Sequence, residues 1–261
     1  MKARLVAAGL ATAFIASPAF AAPVDLTPWL QDGGGNWVLE TGNNGVKQTQ
    51  NSAPGVYHNN ENSQGKSLSG TIQVQTGSDD DFIGFVLGYI DGDIGGGDVG
   101  QDYLMIDWKQ GTQSGWNAGL SISRVTGDIS TCGTCTGSAA WQHNGVVDFL
   151  TRSNGTDSVY GNTGWADNTE YTFDLEFTST KVKVFVDAIL EIEINAADYG
   201  LSGFADGSFG FYGFSQENVR YAGITEEVLP PTIPLPAALP LLGGGIGLMG
   251  FMSYRRKRAT A

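Results

Sequence analysis

Histidine and cysteine are almost missing from this 261-residue chain, which holds two of each. Neither His58 nor His143 lies in a Ser/His/Asp order or a His-Glu-x-x-His motif, and no complete Gly-x-x-x-x-Gly-Lys-Ser/Thr loop is present. Serine-hydrolase triads, zincin chemistry and nucleotide binding therefore lack support. The cysteines, Cys132 and Cys135, stand as Cys-Gly-Thr-Cys in a Gly/Ser/Thr loop. A zinc site needs a second Cys or His pair, and a thioredoxin-like site needs the motif at a helix start after a strand. With those two excluded, the pair reads as a local disulfide pinning a loop.

Basic residues are scarce as well, 14 against 27 acidic ones. Six of the 14 lie at the extreme ends. Lys2 and Arg4 precede an apolar run over residues 5–15 and the small-x-small pattern Ala19-Phe20-Ala21, the anatomy of a secretory signal peptide cleaved after Ala21. Arg255, Arg256, Lys257 and Arg258 follow residues 237–252, which are apolar and uncharged. That run is short of the ~20 residues usual for a spanning helix, but Ser253 and Tyr254 extend it, and a basic cluster behind it fits the positive-inside rule. Between the ends, eight basic residues face all 27 acids, a net charge of −19. Such a surface repels phosphate backbones, so nucleic acid is excluded as a partner and divalent cations are the natural counter-charge.

Ahead of the apolar run stands Ile233-Pro234-Leu235-Pro236-Ala237-Ala238. With its glycine-rich hydrophobic segment and Arg/Lys tail, it resembles the C-terminal sorting signal of the PEP-CTERM kind in its VPLPA variant, with Ile233 where Val is typical. The resemblance implies a bacterial exported protein, with Pro234, Leu235, Pro236 and Ala237 as the sorting motif. An exosortase-type membrane protease would process it, and its destination would be the cell envelope, the cell surface or the surrounding matrix. The membrane would then be reached through the C-terminal segment, which either stays as an anchor or is cleaved near the motif. The expected organisation is a signal peptide (1–21), one domain (22–227), a Pro-rich linker with the motif (228–236), a hydrophobic helix (237–254) and a basic cytoplasmic tail (255–261).

Long helical periods are also lacking, while 38 glycines punctuate short alternating runs, an all-β composition. Residues 36–40 and 46–50 are short segments around a Gly-Asn-Asn-Gly turn, and residues 51–65 read as a polar loop. Residues 68–76, 119–125 and 146–150 read as strands, as do the runs 171–177, 182–186 and 189–194. In the last three, acids on one strand face lysines on the next, and Glu191 and Glu193 are expected to point outward with them. Paired carboxylates at i and i+2 can mount glycoside hydrolysis, but Glu191-Ile192-Glu193 and Asp174-Leu175-Glu176 lack the third partner of a Glu-x-Asp-x-x-Glu pattern. They read as a solvated face. Residues 207–217 form a closing aromatic core strand, and residues 222–226 the last strand.

The richest stretch is residues 79–110. Asp79-Asp80-Asp81 opens an apolar run to Tyr89, an acidic glycine loop follows, and a second apolar run leads to Trp108-Lys109-Gln110. The two runs read as a core hairpin with hard oxygen ligands at its ends. At a strand entry the three aspartates can wrap an ion, and an ion would relieve their mutual repulsion. Asp91-x-Asp93 with Gly96 and Asp102 has EF-hand-like spacing, and Asp98 lies in the same loop. This second site is weaker: Gly95 removes the ligand at position 5, Asp replaces the bidentate Glu, and strands flank it; a plain acidic loop fits as well.

Three blocks, residues 79–89, Trp108-Lys109-Gln110 and Phe214-Ser215-Gln216-Glu217, resemble the corresponding blocks of the thrombospondin C-terminal domain. Residues 119–125, Gly164-Trp165 and the hairpins over 171–194 stand between them in the expected order, so the resemblance covers residues 68–226 with a weaker lead-in from Trp29. It implies an antiparallel jelly-roll β-sandwich of the concanavalin or lectin-like type that binds calcium, with the metal at Asp79, Asp80 and Asp81. It also implies work in cell-surface and matrix adhesion, with a glycan or an extracellular matrix protein as partner. Two departures stand out. The calcium-binding repeats that precede this domain in animal proteins are absent, and Ala188 stands where a hairpin turn usually has Gly, which suggests a different turn type. The expected function is a non-enzymatic, calcium-binding, lectin-like adhesion module; the alternatives are a glycan-active hydrolase on the same sandwich and a purely structural matrix component.

Overall fold

The computed structural model describes residues 21–96, 100–130 and 138–230. The signal peptide up to residue 20, Asp98, the Cys132 and Cys135 pair, the sorting motif at 234–237, the hydrophobic segment and the basic tail lie outside the described residues. The chain divides after Leu229, and every strand belongs to the unit Met1–Leu229. Among the described residues no helix is long and apolar enough to cross a membrane.

Among the described residues, fifteen strands make two antiparallel sheets. In chain order they are β1 (Ala22–Pro23), β2 (Leu30–Gly33), β3 (Trp37–Leu39), β4 (Gly45–Gln48), β5 (Gly55–His58), β6 (Lys66–Val74), β7 (Phe82–Tyr89) and β8 (Tyr103–Lys109). Then come β9 (Gly119–Val125), β10 (Val147–Arg152), β11 (Glu170–Phe177), β12 (Lys181–Val186), β13 (Ile189–Asn195), β14 (Ser208–Phe214) and β15 (Val219–Val228). One sheet runs β13-β12-β11-β6-β15-β4-β3, with β1 beside β15; the other runs β10-β9-β8-β7-β14-β5-β2. We call them the front and back sheets. The all-β sandwich is thus the architecture expected from the short alternating runs, and β7 with β8 is the core hairpin, Phe85 opposite Ile106.

The segment 51–65 was expected to be a loop, and here the structure differs: its middle is β5, paired to β2 on one side and β14 on the other. Four residues between Pro54 and Asn59 are too few to show a period, and all four are buried, so no polar face alternates with an apolar one.

Between the sheets lies the main core. Phe85 meets Phe173 with ring centroids 4.6 Å apart, Trp108 meets Tyr171 at 4.8 Å, and Phe211 stacks on Tyr221 at 4.3 Å. Tyr221 of the front sheet also reaches across to the back sheet, where its hydroxyl donates to the carbonyls of Gly84 and Tyr212 at 3.0 and 2.8 Å. Burying such a ring with its hydroxyl satisfied adds a directional tie to the apolar contact.

A second apolar layer covers the opposite face of the back sheet. Phe82, Val86, Tyr89, Tyr103, Met105, Tyr212 and Phe214 point away from the main core and pack under Ile94, Ile129 and Trp141, which come from the connections β7–β8 and β9–β10. Trp141 lies on a one-turn helix, α1 (Ala139–Gln142), capped by the Ser138 hydroxyl. This explains why β7, β8 and β14 are buried at every position, as continuous apolar runs rather than alternating ones. Gly88, at φ +76°, makes a bulge opposite Ser208 and Phe209, which moves Tyr89 onto the outer layer's side.

Candidate metal centre

Residues 79–81 lead into β7, and their carboxylates offer ligand oxygens that all lie within 4.8 Å of one another. Backbone anchoring fixes the turn. The Trp165 indole donates to the Asp81 carbonyl at 3.2 Å, the buried Gln216 side chain accepts the Asp81 amide at 3.1 Å, and the amides of Gln110 and Gly111 donate to the Asp80 carbonyl. The Asn51 amide donates to the Asp79 carboxylate. The four sequence blocks around Asp79, Trp108, Trp165 and Phe214 therefore meet at one end of the sandwich.

Lys109 stands beside the cluster with its side chain fully shielded from solvent. Its Nζ donates to Asp81 Oδ1 at 2.7 Å, to the Asp80 carbonyl at 3.1 Å and to Gln113 Oε1 at 3.1 Å. The rings of Trp141 and Phe82 lie 4.7 and 5.1 Å from it, so the ammonium is held by three acceptors and two π faces. One ammonium against three carboxylates leaves two negative charges. That imbalance shows at Asp79, whose carboxyl is pushed up to about 6, first by partial burial and then by the Asp81 charge. Clustered carboxylate oxygens carrying an uncompensated charge of two are a donor set that fits a hard divalent cation.

The second group of acids is spread over different partners. Asp102 forms a bidentate pair with Arg124, both contacts 2.7 Å. Asp93 is buried, accepts the Ile90 amide at 2.9 Å, and has its carboxyl raised by that burial. Asp91 is exposed and lies 3.5 Å from Nε2 of the buried His58. Asp32, on β2, joins this loop by accepting from the Tyr89 hydroxyl at 2.6 Å and the Gly92 amide at 2.7 Å. Among the described residues, Asp79, Asp80 and Asp81 are the group whose ligand atoms come close enough to share an ion.

Two polar centres escape a reading by motif. Asp107 on β8 is buried and accepts from His143 Nε2 at 2.6 Å and from the Ser121 hydroxyl at 2.5 Å. The carboxylate stands between serine and histidine, so the order differs from a Ser-His-Asp triad, in which the imidazole contacts the hydroxyl, and the trio ties β8 and β9 to the overlying connection. Glu191 was expected to face solvent; instead it is fully buried. A bulge opposite Val184 and Phe185 leaves it without a strand partner and turns it inward, where it accepts from the Ser153 hydroxyl and from the Val159 and Tyr160 amides. The neighbouring expectation holds, with Glu176 pairing Lys183 at 2.8 Å and Glu193 pairing Lys181. The 187–188 turn is also a correction: both Asp187 and Ala188 have positive φ, 49° and 63°, as a type I′ turn requires, so alanine has replaced glycine without changing the turn.

The model of the thrombospondin C-terminal region matches residues 33–228. The chain belongs to the thrombospondin C-terminal region family. Thrombospondin-3 of Mus musculus is 31% identical over 205 residues, 72% of this chain and 20% of that protein. Thrombospondin-2 of Gallus gallus is 29% identical over 203 residues, 74% of this chain and 16% of that protein, and the cartilage oligomeric matrix protein of Rattus norvegicus is 28% identical over 203 residues, 72% and 25%. The chain thus spans a quarter or less of the length of these relatives. Among solved structures, a Bacillus subtilis protein with a galectin-like fold superposes with a TM-score of 0.53 at 11% identity, covering 80% of this chain and 94% of that one. The exoplasmic/lumenal domain of VIP36 in its Ca2+/Man2-bound form gives 0.51 at 14% identity, covering 80% and 84%. At those identities the likeness is one of fold, and it makes this chain's sandwich a lectin-like one.

Proposed function

We propose that this protein is an exported, calcium-stabilised, lectin-like binding module of a bacterium, acting in adhesion at the cell surface or in the surrounding matrix. Its ion is held by Asp79, Asp80 and Asp81, and its partner is a glycan or a matrix protein. The observation that carries this reading is the convergence of three carboxylates on one buried ammonium, with two charges left over. Asp81 supplies the buried ligand, while Asp79 and Asp80, half-buried, leave room for solvent to complete a calcium shell of six to eight oxygens. A cation there offsets the partial burial and the Asp81 repulsion that together raise the Asp79 carboxyl. The wider domain, at a net charge of −19, gains from the same neutralisation.

Support for binding rather than turnover comes from the carboxylates themselves. Glu191 is occupied by two backbone amides and a hydroxyl, and Glu176 and Glu193 by lysines, so neither the Asp174–Glu176 pair nor the Glu191–Glu193 pair presents two free carboxylates as acid and base to a substrate. A relative named cartilage oligomeric matrix protein and a structure of the VIP36 exoplasmic/lumenal domain in a Ca2+/Man2-bound form are consistent with the proposal. Residues 1–21 as signal peptide and 228–261 as linker, sorting motif, membrane segment and tail complete the route of export. Thermal melts of the purified protein with millimolar calcium and with chelator test the reading. A higher Tm with calcium, lost on chelation, is expected; identical melts rule out the metal.

A further inference from the structure

In a sandwich the two outward faces are the broad surfaces open to a ligand. Here the back sheet's outward face is filled by Ile94, Ile129 and Trp141 and has become a second core. Among the described residues, no comparable apolar layer covers the front sheet's outward face. On it, between β6, β11, β12 and β15, lies a groove of about 630 Å³.

Its lining is specific in chemistry. Ser69, Thr71, Thr172 and Thr225 contribute hydroxyls, and Phe185 contributes a half-buried aromatic ring. Asp174 lies between them, opposite Ser69 on β6 and Phe185 on β12 in the strand register. Its Oδ1 is shielded from bulk solvent and has no hydrogen-bond partner within the protein. Burial and the Glu176 charge raise the carboxyl, and the Ser69 hydroxyl and the Lys183 charge offset this only in part. An acceptor left in that state is costly unless a ligand donates to it. The neighbouring Glu176 is already matched by Lys183 at 2.8 Å, so Asp174 is the acceptor left without a cation of its own.

We propose that this groove is the ligand-binding cleft of the module and that its ligand is a neutral glycan. A pyranose ring offers what the lining lacks: hydroxyl donors for the Asp174 carboxylate, hydroxyls that exchange hydrogen bonds with the serine and threonines, and an apolar C–H face for Phe185. A uronate or sulfated sugar would set its charge against Asp174 and Glu176 and is excluded on electrostatic grounds. The inference rests on the binding-module reading and gives it a location on the sheet opposite to the one that the connecting segments cover.

The test is calorimetric titration of the full protein, its Asp174→Asn and Phe185→Ala variants, and a Glu193→Gln control on the same strand face. The probes are neutral gluco-, manno- and galacto-configured oligosaccharides, an oligouronate and a lysine-rich peptide. A neutral oligosaccharide binds, and each groove substitution weakens it at least about tenfold, the loss of one charge-assisted hydrogen bond or one aromatic stack, while the control binds as before. Asp174→Asn conserves shape and remains informative if Phe185→Ala fails to fold. Oligosaccharide binding that neither groove substitution weakens overturns the groove and leaves the binding-module reading intact. Binding of the oligouronate or the lysine-rich peptide alone overturns the neutral-glycan assignment, and no binding to any probe overturns the cleft together with the glycan reading.

Discussion

The ammonium of Lys109 lies 2.7 Å from Oδ1 of Asp81, and both side chains are buried. This pair is the hinge between the fold and the acidic cluster. It closes the β7–β8 hairpin at one end and also removes one of the three charges that an ion would otherwise have to balance.

Replacing Lys109 by Met keeps the apolar stem but leaves Asp81 buried and unpaired, a loss of about 3–5 kcal/mol. Urea unfolding checks this. The double variant with Asp81→Asn is expected to recover part of the loss, because the uncompensated charge is gone, and the coupling energy from the double-mutant cycle measures the pair itself.

Acid stability follows from His58. Burial pushes its imidazole below the ordinary histidine value, against the opposing pull of the Asp91 and Asp32 charges. The folded protein therefore binds fewer protons than the unfolded chain in the window just below pH ~6.5. Stability is fully present above that value and falls as the pH drops through the window. Asp79 acts in the opposite sense, since a raised carboxyl loses stability as pH rises towards 6. Comparing the protein with His58→Gln cancels the Asp79 contribution. Tm measured from pH 7 to pH 5 should fall less in the variant, and equal falls contradict the assignment.

Much of this was legible in the residues. The β11 and β12 strands alternate so cleanly that their inward residues, from Tyr171 to Phe177 and from Val182 to Val186, were readable one by one. The gathering of Asp79, Lys109, Trp165 and Gln216 was foreshadowed by blocks of family resemblance, although no spacing rule links positions so far apart in the chain. Three features were hidden for distinct physical reasons. A bulge reverses the parity of Glu191, and a period-2 reading has no means to place a bulge. The β5 strand is too short and too uniformly buried to alternate. The outer layer under Trp141 depends on how two connections fold back over the sheet, and their glycine-rich, polar composition conceals the few apolar residues that do it.

Glu191 gives a prediction that separates the two readings of its position. As a solvated residue its change to Ala would be nearly neutral. As the buried acceptor of the Val159 and Tyr160 amides it should cost about 1–3 kcal/mol on substitution, read from urea midpoints, with Glu193→Ala as the milder comparison.

At the β12–β13 turn, Ala188 holds a φ of 63° that glycine adopts freely. The strain relieved by Ala188→Gly exceeds the backbone entropy it adds, and a gain of about 0.5–1 kcal/mol is expected. A rise in Tm checks it; an unchanged or lower Tm would show that the turn is not strained.

The three acids at the entry to β7 carry the metal assignment. Calcium titration calorimetry of the protein beside its Asp79→Asn, Asp80→Asn and Asp81→Asn variants addresses them directly. Saturable binding in the protein, weakened by more than about tenfold in each variant, is the predicted result. Calcium binding that survives all three substitutions, or no binding at all, would contradict it.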